Sequence, residues 1–314
     1  MYKSKKIPSS KVINIIEQIN KYMGLHHRKR HSKEVREAYN HGEWIKELNR
    51  FEQTYIEHGD RVHLISGDKF QLDKIAGIEN QTMKDLYKDF FGKDSDIRKE
   101  LYAIFPESCP ICDGPWGYIE SHLDHILPES IFSQYAITPV NLVRTCSRCN
   151  HQKLTNIGLD ENNQVINPYF KAIDFTDKLS CKVNIEANEF MANVFLKSNS
   201  ILKVDVIEYE IITKFLERYK LIEVYTEVLE VHLLPELIKL FASRIYIRPS
   251  QSDFKEVLIE QRNSINTDWI NFEKKVTTYF LKYLLLTSLI EDYSEDIYKV
   301  FFDKVEAKRA ELYG

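Results

Sequence analysis

Glycine and proline are both scarce, 10 and 9 residues in a chain of 314. With so few chain breakers there is no low-complexity tract and no long flexible linker, and helix is the favoured element. Long apolar runs are also missing. A membrane span needs about 18 uninterrupted apolar residues, and the best candidate, Tyr279 to Ile290, is short and carries Lys282. The amino terminus, Met1 to Lys11, offers Lys3, Lys5 and Lys6 followed by Pro8 and Ser9, but no apolar h-region, so export by a signal peptide is not expected. These absences lead us to expect a soluble, cytoplasmic protein. Cysteine is sparse as well, with five in all. One of them, Cys181, stands apart with no histidine-containing pattern beside it, and reads as a buried or neutral thiol rather than a nucleophile.

What is present is a large apolar complement, 43% hydrophobic and 12% aromatic, enough for two or three compact units. Val12, Ile15, Ile16, Ile19 and Met23 recur at helical spacing, with Ser9 or Ser10 as N-cap and Gly24 as the stop. Similar stripes run through Ile211, Phe215, Ile222, Tyr225 and Leu229, and through Trp269, Phe272, Val276, Tyr279, Phe280 and Tyr283. A last helix is expected from near Ser294 to Leu312, and strand-like pieces around Val183 and Val194. Aromatic stripes of this kind are core more often than ligand sites.

The net charge of −4 conceals an asymmetry: the first 50 residues hold 12 Lys/Arg against 5 acids, and the rest of the chain is acidic. The densest basic run, His26-His27-Arg28-Lys29-Arg30-His31, has the composition of a phosphate-backbone contact, although a solvated helix end has the same one.

Four cysteines form two Cys-x2-Cys pairs, Cys109/Cys112 and Cys146/Cys149. Each short turn aims two thiolates at one ion, so the pairs read as a tetrahedral zinc site; two disulfides or four unrelated thiols are the alternatives. The 33 residues between the pairs (113 to 145) exceed a simple loop and point to a functional insert held by the metal. Within it, Tyr118 to Leu127 alternates as a strand and Asn141 to Thr145 forms a second. Ser147 to Ile157 reads as a helix ended by Gly158. The result is a ββα unit. Asn150 and Lys153, three apart, share a helix face and can look toward the first strand. Asp124 and His125 are adjacent, and regular alternation sends neighbours to opposite faces, so the strand is expected to end or bulge there.

Taken together, Cys109-x2-Cys112, Asp124-His125-x2-Pro128, Asn141-Leu142 and Cys146-x2-Cys149-Asn150-x2-Lys153 resemble the zinc-stapled branch of the HNH endonucleases, over about residues 100 to 170. The resemblance implies that His125 is the general base that takes a proton from water. It makes Asp124 and Asn150 the protein ligands of a catalytic Mg2+ or Mn2+, Asn141 the brace of the loop between the strands, and Lys153 a neutraliser of phosphate. Arg148, and with it Arg144, are further phosphate contacts to consider. The chemistry is coherent, since a phosphodiester needs a base for the water and a cation for the developing charge. His122, two residues before Asp124, is a candidate partner or ligand, with a plain structural histidine as the alternative; His151 is expected to face solvent or the zinc site. One feature departs from an autonomous DNA binder: residues 105 to 160 carry only 3 basic groups against 6 acids.

The expected fold is therefore α+β and predominantly helical, with a basic helical region over 1–104, a zinc-bound ββα nuclease core over 105–175 and a mostly helical region over 176–314. The expected activity is metal-dependent endonucleolysis of DNA, with RNA left open. Alternatives are a catalytically silent zinc-containing nucleic-acid-binding or scaffold module, and an effector nuclease of a bacterial anti-phage or restriction system held silent by a protein partner such as an ATPase or sensor subunit. Two-strand cutting by one such site would invite a homodimer.

Overall fold

The computed structural model describes residues 35, 37, 42–65, 74–75, 77–105, 108–114, 121–158, 160–175, 177–244, 249–271 and 276–313. The expected helix over 12–23, the basic run 26–31, residues 118–120 of the expected first strand, Phe272 and the side chains of Trp269 and Val276 lie outside the described residues. The chain divides into two compact units. One takes in the residues up to Ile173 together with Asp205–Tyr219; the other takes Asp174–Val204 and the chain from Lys220 onward.

In the first unit, α1 (Glu43–His58) turns Trp44, Leu48, Phe51 and Tyr55 inward at helical spacing. A two-residue ladder, β1 (Lys74–Ile75) with β2 (Ile78–Glu79), leads into α2 (Asn80–Phe91). Ser95 then caps α3 (Asp96–Ile104), its side chain accepting from the Arg98 amide. The hairpin β3 (Ser121–His125) and β4 (Leu142–Cys146) follows, and α4 (Ser147–Lys153) packs on both strands. The helices α1 to α3, the hairpin and the loop between its strands share one apolar core. Trp44, Phe51, Met83, Phe90 and Leu101 of the helices are buried in the same cluster as Leu123, Phe132, Val140 and Val143 of the ββα unit. The structure thus places no boundary at 104/105, because removing either side would return the other's buried side chains to water, at about 1.5–3 kcal/mol each.

The expected helix from Ser147 to Ile157 is shorter than its pattern suggested. It stops at Lys153, with Leu154 at φ 44, and Gly158 serves the next turn at φ 62. A hairpin, β5 (Leu179–Glu186) and β6 (Glu189–Leu196), opens the second unit, joined by Ala187 and Asn188 in left-handed conformation. The chain then returns to the first unit as α5 (Val206–Arg218) and leaves again as α6 (Leu221–Val228), a π turn (Leu229–Leu233), α7 (Leu234–Arg244), α8 (Gln251–Asn271), α9 (Val276–Glu291) and α10 (Glu295–Tyr313). Helix side chains satisfy the amides along the hairpin edges: Ser288 accepts from Val183, Thr226 from Val194 and Glu230 from Ala192, at 2.8, 3.1 and 2.9 Å. Phe241, Phe254, Phe301 and Phe302 form the aromatic centre of this unit. The helices are amphipathic or buried, and none among the described residues is long and apolar enough to cross a membrane.

A Cβ at Gly158 would stand 1.8 Å from the carbonyl oxygen of Asn163, on a backbone already at positive φ. Gly158→Ala is therefore expected to lower the unfolding free energy by about 1–3 kcal/mol, read from urea denaturation; an unchanged midpoint would show that the turn yields freely.

Candidate functional site

The cysteine pairs come together as two turns facing one point. Asp113, at φ 59, closes the first turn, donating its amide to Cys109 O at 2.7 Å, while the Gly114 amide points at Cys112 Sγ at 3.4 Å. Cys146 ends β4 and caps α4, its sulfur accepting from the Cys149 amide at 3.4 Å, and its own amide points at Cys109 Sγ at 3.5 Å. All four thiols are buried and unbridged, and their sulfurs lie within 4.8 Å of one another. Zinc–sulfur bonds of about 2.3 Å in a tetrahedron set sulfurs about 3.8 Å apart, and Cys112 and Cys146 stand at 3.7 Å. The cluster could hold a structural zinc ion, and the two-disulfide alternative does not apply. Hydrogen bonds among the four sulfurs lower the Cys146 thiol and raise those of Cys112 and Cys149, as expected of a tightly interacting set. Cys181 behaves as a neutral thiol, pushed up to about 12 chiefly by burial.

The hairpin pairs Asp124 with Val143 and His125 with Leu142 in regular register. β3 ends at His125, so the strand stops at this step, as its sequence led us to expect, and no bulge precedes the end. Asp124 is 7% exposed and accepts from Lys153 Nζ of α4 at 2.9 Å. Its other oxygen, Oδ2, is buried without a partner. Burial raises the Asp124 carboxyl and Lys153 pulls the other way. His125 packs against the Tyr87 ring of α2 at 4.5 Å and its Nε2 lies 2.9 Å from Ala136 O. A carbonyl oxygen can only accept, so Nε2 carries the proton and Nδ1 holds the lone pair. Burial holds His125 down at about 4. Glu129 Oε2 lies 3.8 Å from the same Nε2.

Lys153 requires a correction. Its side chain is only 1% exposed, and Nζ donates to Asp124 Oδ1, His125 O and Leu154 O. An ammonium enclosed in this way balances Asp124 and ties α4 to β3; it is not a contact for a phosphate arriving from solvent. Arg148, by contrast, is exposed on α4. Asn150 lies one turn before Lys153 on α4 and is partly exposed.

Asn141 is fully buried. Its Oδ1 accepts from the Leu127 amide at 2.8 Å and from the Tyr55 hydroxyl, and its Nδ2 donates to Leu127 O and Tyr135 O, both at 3.0 Å. The loop from Ile126 to Val140 is thereby closed on one amide. Asn167 and Tyr169 extend the bracing, bonding Val140 O and Leu142 O at 2.8 and 2.9 Å. Sequence reasoning missed Tyr55, Tyr87 and Tyr169. Sequence spacing does not disclose which hydroxyl has a distant partner.

No family model matches this chain, and no solved structure matches it. Protein ea31 of Escherichia phage lambda is similar, 27% identical over 133 residues that cover 37% of this chain and 44% of that relative. The match thus spans less than half of the relative's length.

Purified protein is expected to carry one zinc per chain by elemental analysis, and Cys149→Ser to lose the metal and melt at lower temperature; four alkylatable thiols with no metal would overturn the assignment. Lys153→Met would strand the Asp124 carboxylate and lower the unfolding free energy by about 3–5 kcal/mol. A change below about 0.5 kcal/mol, the surface value, would restore Lys153 to solvent.

Proposed function

We propose that the chain is a divalent-cation-dependent endonuclease of the HNH type, which hydrolyses phosphodiester bonds of DNA. The observation that carries the reading is the state of His125: Nε2 is committed to Ala136 O, the ring is held by Tyr87, and burial keeps the imidazole neutral. Nδ1 is then a base ready to take the proton of a water whose oxygen attacks phosphorus, as the bond to the leaving oxygen breaks. Asp124 fits the second half of the chemistry. Lys153 occupies Oδ1, and Oδ2 is a buried, unpartnered hard oxygen of the kind a divalent ion takes. With Asn150 as the other ligand, a bound Mg2+ or Mn2+ would supply positive charge for the developing phosphorane and alkoxide. The thiol cluster supports this arrangement by holding β4 and α4 in place. The HNH assignment rests on these residues and their order in the chain, not on a matching family model.

A second reading, a catalytically silent zinc-containing module, is favoured by one observation: Lys153 already neutralises Asp124. One experiment separates the two. Plasmid and linear DNA incubated with the protein and Mg2+ or Mn2+ are expected to be cut, with EDTA abolishing cleavage and His125→Ala reducing it by about 10²–10⁴-fold. Because burial lowers the His125 pKa, the base form is present above about 4. Activity should therefore stay level as pH falls from 7 to 5 and drop only through about 4; a loss centred near an unperturbed histidine, about 6.5, would contradict the buried base. Undiminished cleavage by His125→Ala would leave the silent module, or another base, as the reading.

A further inference from the structure

The ββα segment alone is poor in cations, yet the structure brings cations to the His125 face from elsewhere. Residues directly opposite in an antiparallel pair share a face, so Arg144, opposite Leu123, stands on the side of the hairpin that carries His125. It is the diagonal neighbour of His125, with Cα atoms about 7–8 Å apart. Over it lies α3. Arg98 and Tyr102 are four apart on that helix, and both guanidinium carbons, of Arg98 and of Arg144, lie over the Tyr102 ring, 4.9 and 4.6 Å from its centre.

The stack is tied at several points. Arg98 donates to the Tyr102 hydroxyl at 2.6 Å and to Phe91 O at 3.0 Å; Tyr102 donates to Ser121 O at 3.1 Å, and Arg144 Nε to Ser121 Oγ at 3.1 Å. Two like charges are thus held within about 10 Å of each other, one Debye length at 0.1 M salt, and all three side chains keep part of their surface open. On the other side of His125, Lys84 and Lys88 of α2 act on Glu129, whose carboxyl burial raises and these lysines lower.

We propose that Arg98 and Arg144, docked on Tyr102, bind the phosphodiester backbone on the strand side of His125. Helix α3 of the amino-terminal region is then part of the substrate surface as well as packing. Both guanidinium groups are partly exposed, and each NH2 of a guanidinium carries two hydrogens, so one internal bond does not exhaust its capacity to pair with phosphate oxygens. The inference rests on the nuclease reading.

The test uses full-length protein and fluorescently labelled duplex DNA in EDTA, where no cleavage occurs, with anisotropy read across a salt series. Arg98→Gln/Arg144→Gln is expected to weaken binding at least about tenfold at 0.1 M salt and to flatten the slope of log K against log salt by about 2, close to 0.9 for each phosphate no longer neutralised. Arg98→Lys/Arg144→Lys keeps the charges without the planar forks; it should keep the wild-type slope with binding several-fold weaker, and it carries the test if the glutamine pair fails to fold. A glutamine pair with wild-type slope and affinity, or a folded lysine pair with the flattened slope, would overturn the proposal. Wild-type protein that cuts plasmid DNA while the glutamine pair keeps its slope would sink this inference alone; wild-type protein that neither binds nor cuts DNA would sink the nuclease reading with it.

Discussion

Four buried sulfurs within 4.8 Å of one another hold the ββα unit in its working shape. A short helix of seven residues has little stability of its own, and α4 keeps its place because Cys146 and Cys149 lock its first turn to the Cys109–Cys112 turn. From that placement Lys153 reaches β3, bonds Asp124 and His125 O, and fixes the angle between helix and hairpin. Sulfurs this close repel as thiolates, which is why a cation at their centre is the natural partner of the arrangement.

Burial acts on two neighbouring residues in opposite senses. It raises the Asp124 carboxyl and lowers the His125 imidazole, because in each case the charged form is the one that loses its water. Lys153 restores part of the balance for Asp124. For His125 the Ala136 carbonyl offsets burial only in part, and the ring remains neutral, the form a base requires. The loop that completes the site depends on Asn141, whose single amide closes the turn between the strands and reaches the Tyr55 hydroxyl of α1. Since α1 and α2 supply both Tyr55 and Tyr87, the amino-terminal helices shape the site as directly as the zinc-type turns do.

The same dependence carries the first unit through residues 104 and 105 without a break. The apolar face of α1 to α3 packs into one core with the hairpin and its loop. The division falls at Ile173, and α5 rejoins the first unit from far downstream. There Arg218 bonds Asn163 O and Gln164 O, across 55 and 54 residues, and no local pattern announces either bond.

Local order was legible wherever spacing alone carries the information. The paired cysteines, the alternation around Val183 and Val194 and the last helix all follow from short-range periodicity, and all lie where that periodicity put them. The end of α4 was misjudged because Leu154, not Gly158, takes the left-handed turn, and a leucine gives no such signal. By itself the sequence determined which residue types sit together: four thiols, an Asp-His step, an asparagine and a lysine, each at fixed separations. Only the tertiary structure decided their states, because burial and hydrogen bonding are made by partners distant in the chain. Tyr55 meets Asn141 across 86 residues and Lys153 meets Asp124 across 29. Those bonds, made only when the chain has closed and water has left, turn a lysine read as a phosphate ligand into the counter-ion of a buried carboxylate.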